Sequence, residues 1–272
     1  MQGRLSPPSP RRLQAFPWES WEHEFPRARA LGFDCLEWLF EDEGFAANPI
    51  WTEAGVRRIR ALTEHEGVAV SSVCADYFMV HPFFRVTQAE HAASVDVLRR
   101  LVERAHEVGA STILIPVLET AELRTDAELA RLAEGLHACL PAARSAGVRL
   151  GLETELPASR YLDVLRHVSD PAVGAYYDTG NAAACGHDLA ADVRALGPTL
   201  CGVHVKDRRR GGASVPLGQG AANFGECFQA LADVHYAGPL VLQTAFGGEF
   251  LADAARHRRF VLDGVAAAGV SA

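Results

Sequence analysis

Short apolar runs rich in Val, Ile and Leu alternate along this chain with longer stretches whose apolar residues recur every three or four positions, and no other feature narrows the fold as much. The runs are FDCLEWLF (33–40), VAVSSVCA (68–75), STILIPVLE (111–119), VRLGLE (148–153), VGAYYD (173–178), LCGVHV (200–205) and PLVLQ (239–243), with MQGRL at the start as an eighth, very short strand. Between them, TEAGVRRIRALTEHE (52–66), QAEHAASVDVLRRLVERAHEVG (88–109) and DAELARLAEGLHACLPAARSAG (126–147) have the period of amphipathic helices. LGF, EGV, VGA and AGV at 31–33, 66–68, 108–110 and 146–148 place glycine where a helix closes in the left-handed conformation before the next strand.

Repeated strand–helix units imply a parallel sheet covered by helices. With 272 residues and eight such units, the closed (β/α)8 TIM barrel is favoured over an open doubly wound sheet. The open sheet usually carries a glycine-rich phosphate loop after its first strand, and RLSPPSP is no such loop. No linker divides the chain, so residues 1–272 read as one domain, with the proline-rich stretch at 7–17 as a loop after the first strand.

The 49% hydrophobic and 22% charged content is that of a globular protein. No apolar run approaches the roughly 20 residues that cross a bilayer, and the N-terminus lacks the apolar centre of a secretory signal. A cytoplasmic protein without a membrane partner is the expectation. A net charge of -8 argues against a general nucleic-acid surface. Six scattered cysteines with no C-x-x-C pair read as small buried hydrophobes.

In a (β/α)8 barrel the carboxyl ends of the strands converge on one rim, where catalytic groups sit. Four successive runs end there on polar residues: Glu153, Asp178, His204 and Gln243. Two carboxylates, an imidazole and an amide oxygen are a binding set for a divalent cation, and with no thiolate among them they suit Mn2+ first, with Mg2+, Co2+ or Zn2+ as alternatives. Each residue alone has a plainer reading: Asp178 as a helix cap, Glu153 as an arginine's partner, His204 as a satisfied core histidine.

The motifs GFDCLEW (32–38), GLET (151–154), YDTGNA (177–182), HVKD (204–207) and PLGQG (216–220) make the chain resemble the xylose isomerase-like barrels, in particular the sugar phosphate isomerase/epimerase family. The resemblance implies a metal held by Glu153, Asp178, His204 and the final-strand residue, Arg210 touching substrate hydroxyls, and Asn181 as a further substrate contact. Its known catalytic members mostly carry glutamate where this chain has Gln243.

The chemistry of such a site is proton removal beside a carbonyl, with Glu153 as the base. An amide at 243 can ligate through its oxygen but cannot return a proton. Epimerisation would therefore need another acid, from Glu37, Asp76, Glu119 or Glu249; a single base would give aldose–ketose isomerisation. A dehydratase or carbon-glycoside lyase and a non-catalytic carbohydrate binder are the alternatives. Glu37 and Asp76 are also candidate substrate contacts, and Lys206 begins a basic turn, KDRRRGG, suited to a phosphorylated or acidic sugar. The expected partner is a small sugar or sugar phosphate, with a homo-oligomer left open.

Overall fold

The computed structural model describes residues 1–2, 5–7, 15–245 and 249–269. Seven parallel strands form one sheet: β1 (Cys35–Leu39), β2 (Ala69–Cys74), β3 (Thr112–Pro116), β4 (Arg149–Glu153), β5 (Val173–Asp178), β6 (Leu200–Val205) and β9 (Leu240–Leu242). A two-residue pair, β7 (Asp207–Arg208) and β8 (Ser214–Val215), forms a small antiparallel hairpin outside that sheet.

Met1 and Gln2 fill the gap between β1 and β9. The Glu37 N–H donates to the Met1 carbonyl at 2.9 Å, and the Gln2 N–H donates to the Leu242 carbonyl at 3.1 Å. The chain start is therefore the closing stave of a near-closed (β/α)8 barrel, contributing a single parallel bridge, Gln2 to Glu37, where a short strand was expected. Residues 3 and 4 of that strand, and most of the proline-rich stretch, lie outside the described residues.

The helices follow the amphipathic stretches closely. They include α1 (Trp21–Leu31), α2 (Glu53–Glu66), α4 (Gln88–Val108) and α5 (Asp126–Ala146), each closed by a left-handed glycine: Gly32, Gly67, Gly109 and Gly147. Thr87 and Thr125 open α4 and α5 with reciprocal capping boxes to Glu90 and Glu128. The segment α7 (Thr179–Cys185) is the helix that the reading of Asp178 as a cap requires: six small or polar residues follow Asp178 directly, and its side chain starts the helix by accepting the Asn181 N–H. No helix among the described residues is long and apolar enough to cross a membrane.

Two irregularities set up the interior. Between β1 and β2 the register shifts, so that Leu36 pairs with Val70 but Glu37 pairs with Ser72. Between β5 and β6 it shifts again, pairing Tyr176 with Gly202. Both put an inward polar side chain opposite a small one, as bulges near active sites do. A Cβ at Gly202 would run into the Tyr176 ring, and one at Gly151 would crowd both that ring and Cys201. Glycine on β4 and β6 thus makes room for a buried tyrosine on β5.

Candidate active site

Side chains two residues apart on a strand share a face. Gly151, Tyr176 and Gly202 share an interior layer, so Glu153, Asp178 and His204, two positions on, form the next layer up, at the carboxyl end. Their ligand atoms lie within 4.8 Å of one another, and all three residues are buried. His204 Nδ1 stands 3.7 Å from Asp178 Oδ2 and 3.9 Å from Glu153 Oε1.

The plainer readings of these residues are half right. Asp178 Oδ1 does cap α7, at 2.8 Å from the Asn181 N–H, but Oδ2 accepts no hydrogen bond, with the Lys206 ammonium 3.5 Å and His204 Nδ1 3.7 Å away. His204 Nε2 lies 2.6 Å from Glu37 Oε1, whereas Nδ1 has no hydrogen-bond partner. Glu153 is met by an amide, not an arginine: Asn181 Nδ2 donates to its Oε1 at 3.1 Å. Buried polar atoms are rarely left unpaired. Two of them aimed at a third donor, in an all-oxygen and imidazole set, fit a divalent cation. Gln243, just past β9 and buried, faces the same cavity.

Glu37 is not where a substrate contact must be. Its side chain is wholly sealed from solvent, at 0% exposed: it points into the barrel against His204, and the β1–β2 register shift sets Ser72 opposite it. Its second oxygen, Oε2, accepts from Ser72 Oγ at 2.7 Å and from Tyr176 Oη at 2.5 Å. The reading of Glu37 as a substrate residue is therefore corrected: it backs the imidazole. Tyr176 and Ser72, which complete that support, went unnoticed in the sequence, although Tyr176 stands two residues before Asp178 on the same face.

Charge in this cluster is balanced internally. Burial by itself would push the Glu37 carboxyl up, but the His204 ring and the donors around it outweigh burial and hold it below the usual carboxylate range. Burial would lower the His204 pKa, yet the carboxylates of Glu37, Asp178 and Glu153 raise it well above the ordinary histidine value. Asp178 is lowered, since Lys206 and His204 overcome its burial, while Glu153 is raised, with burial dominant and Asp178 adding to it. Because a histidine nitrogen must be unprotonated to ligate, cation binding at such a cluster would be linked to proton release.

The cavity above the cluster holds about 630 Å³. Its walls include Glu153, Asn181, Gln243, Lys206 and Arg208, together with Asp76, Glu119, Met79 and Pro116. Burial pushes the Asp76 carboxyl up to about 7, against a lowering contact from Cys74. Arg210 is absent from these walls. It is exposed and donates to the Gly186 carbonyl at 3.3 Å, because the hairpin turns it away from the barrel axis. Trp21 and Phe83 pack in the interior against Trp38 and Phe78.

The description "Xylose isomerase-like TIM barrel" matches residues 25–259, most of the chain. The chain belongs to that family. Among its relatives are L-ribulose-5-phosphate 3-epimerases named UlaE. That of Salmonella paratyphi B is 26% identical over 262 residues, covering 93% of this chain and 92% of the relative. A solved L-ribulose 3-epimerase superposes with a TM-score of 0.79 at 17% identity, covering 99% of this chain and 94% of the other. A family member from Mycobacterium smegmatis, solved in complex with magnesium, gives 0.70 at 18% identity, covering 94% and 90%. At those identities the solved structures speak for the fold. Family and relatives together make this chain a sugar isomerase/epimerase-like enzyme.

Proposed function

We propose that the chain interconverts a small ketose or ketose phosphate with its epimer or isomer, using Glu153 to move the proton beside the carbonyl and a divalent cation held by Glu153, Asp178, His204 and Gln243. One observation carries the reading: three buried ligand groups from adjacent strands converge within 4.8 Å, with Asp178 Oδ2 and His204 Nδ1 lacking hydrogen bonds. The relatives named as epimerases of L-ribulose and L-ribulose 5-phosphate support the substrate class. When bound, the cation would polarise the carbonyl and stabilise the negative charge that develops on its oxygen. Mn2+ is the first choice for this donor set, with Mg2+, supported by the magnesium-bound relative, next.

The protein's own part is orientation and proton transfer. Asn181 Nδ2 holds one Glu153 oxygen in place, leaving the other available to take a proton. Burial raises the affinity of that carboxylate for the proton, as a general base requires. Gln243 cannot return a proton on the opposite face. Of the acids considered for that task, Glu37 is sealed behind His204, Glu249 does not line the cavity, and Asp76 and Glu119 do. The amide at 243 therefore also favours a second reading, one-base aldose–ketose isomerisation.

Incubating the Mn2+-loaded protein with L-ribulose, L-ribulose 5-phosphate, D-psicose and D-tagatose in D2O tests the reading. Deuterium should enter at the carbon beside the carbonyl, and the product distinguishes epimer from isomer. Chelation should stop exchange, and Glu153→Gln should reduce it by about 10²–10⁴-fold with the melting temperature preserved. Exchange that survives in Glu153→Gln removes Glu153 from the reaction.

A further inference from the structure

The geometry points to Arg208, in place of Arg210, as the guanidinium that meets substrate oxygens in this cavity. The inference rests on the functional reading above and deepens it by naming a binding residue. The motif's spacing puts the arginine six positions after the histidine. Here the backbone after His204 continues in extended form through β7, so side chains alternate. Lys206 and Arg208 face the cavity. Asp207, between them, points the other way and is fully buried. The chain then turns at Arg209, whose N–H donates to Ala213, and Arg210 leaves on the outer side.

Arg208 is held by the protein through Nε and Nη1 and left open at Nη2. Its Nε donates to the Gly212 carbonyl at 3.1 Å, and its Nη1 donates to Asn181 Oδ1 at 2.8 Å and to Glu155 Oε1 at 3.4 Å. Among the described residues nothing accepts from Nη2. That nitrogen belongs to a side chain only 24% exposed. A guanidinium fixed by three acceptors loses little freedom when Nη2 meets a further oxygen, which is what makes arginine effective in a binding site.

The same contacts couple Arg208 to the base. The only acceptor on Asn181 is Oδ1, and Arg208 occupies it, so the Asn181 amide must present Nδ2 to Glu153, as it does at 3.1 Å. Arg208 therefore binds substrate with Nη2 and orients Glu153 through Asn181 with Nη1. The class of ligand is a polyhydroxylated carbonyl compound with hydroxyl or phosphate oxygens within reach of Nη2. A free ketose and its phosphate ester share that chemistry.

The test measures KM and kcat on the Mn2+-loaded protein, and equilibrium binding by calorimetry, with L-ribulose and L-ribulose 5-phosphate as probes. Arg208→Ala should weaken binding of the preferred probe by about ten- to a hundredfold, with kcat also reduced because Asn181 loses its anchor. Arg208→Lys should recover part of the binding but not kcat, since an ammonium cannot bridge Asn181 and substrate. Arg210→Ala should leave both constants within about twofold. Melting temperatures of all three variants check that the barrel is intact. If the wild type turns over a probe while Arg208→Ala behaves normally, or Arg210→Ala shows the larger loss, the inference fails and the functional reading stands. If a probe binds without turnover and Arg208→Ala weakens it, the inference stands and the functional reading fails. A wild type that binds neither probe overturns the inference for these ligands, and the functional reading falls with it only if D-psicose and D-tagatose also show no exchange.

Discussion

The side chains that rise from β4, β5 and β6 and those carried by residues 206–222 meet in one cavity, but different forces aim them. Glu153, Asp178 and His204 are directed by strand register: each lies two residues beyond an interior Gly151, Tyr176 or Gly202, and the pleat does the rest. Arg208 is directed by a hairpin only two residues deep per arm, which on strand pairing alone would be marginal. What secures the hairpin is Asp207. One of its oxygens accepts from the Gly218 and Gly220 N–H groups at 2.9 and 2.8 Å, and the other accepts from Ala222 at 3.2 Å. The candidate metal ligands are thus built into the barrel, while the segment that carries Arg208 is tied down chiefly by one buried carboxylate, with backbone bonds such as Ala221 N–H to Arg208 O and Gly211 N–H to Ala184 O beside it. Such an arrangement lets the second half vary without disturbing the first.

The comparison is broken most severely at Glu37. Among the described residues its carboxylate is the only hydrogen-bond partner of His204 Nε2, and it is itself held by Ser72 and Tyr176. Glu37→Gln leaves a buried imidazole facing an amide, and loss of such a supporting carboxylate typically weakens metal binding by about 10–100-fold. Titration of the apo-protein with Mn2+ should show that loss. Removing one partner from a buried ion pair also costs about 3–5 kcal/mol of stability in the metal-free state, measurable by urea unfolding. Unchanged Mn2+ affinity would show that strand register alone orients the ring.

Asp207→Asn probes the other half. The amide can still accept from one side, but it presents an NH2 group to the donors on the other, a loss of about 1–3 kcal/mol. The expected outcome is a raised KM through displaced Arg208, with Mn2+ affinity unchanged. A matching loss of Mn2+ affinity would show that the two halves are not independent.

The strand-borne half was readable from the sequence, whereas of the loop-borne half only the place of Lys206 in the cavity was, for physical reasons visible in particular residues. Apolar runs ending in Glu153, Asp178 and His204 give both the barrel and the rim position, since period two and fold class suffice. Glycines 32, 67, 109 and 147 mark helix ends because only their left-handed backbone fits there. Glu37 misled because an inward carboxylate on β1 can either line the mouth or lie under it, and the period of one strand does not report that His204, Ser72 and Tyr176, from three other strands, close around it. Arg210 misled because spacing from His204 says nothing about where the chain turns. The turn depends on Asp207 gathering three backbone N–H groups from residues eleven to fifteen positions on. The one sequence signal available was the alternation of Lys206, Asp207 and Arg208 read as a continuing strand.

A smaller effect lies beneath the mouth, where Glu24 of α1 separates the barrel's stability from its site. Burial pushes this carboxyl from 4.5 to about 7, although Ser6 and the Leu5 N–H, which lies 3.1 Å from Oε1, pull it back in part. The folded chain therefore keeps a proton that the unfolded chain releases between those two values. With more protons bound in the folded state, stability falls as pH rises through that window and stays low above it. The difference caps the penalty at about 3 kcal/mol. Glu24→Gln removes the charge and keeps a hydrogen-bonding side chain of the same shape, so it should stabilise the protein at pH 8 by about 1–2 kcal/mol and have almost no effect at pH 4.5. Urea unfolding at the two pH values measures this directly. Since Glu24 stands outside the cavity walls, Mn2+ affinity and KM at pH 8 should not move. An equal gain at both pH values would mean that the glutamine stabilises by packing and that Glu24 titrates alike in the folded and unfolded chains.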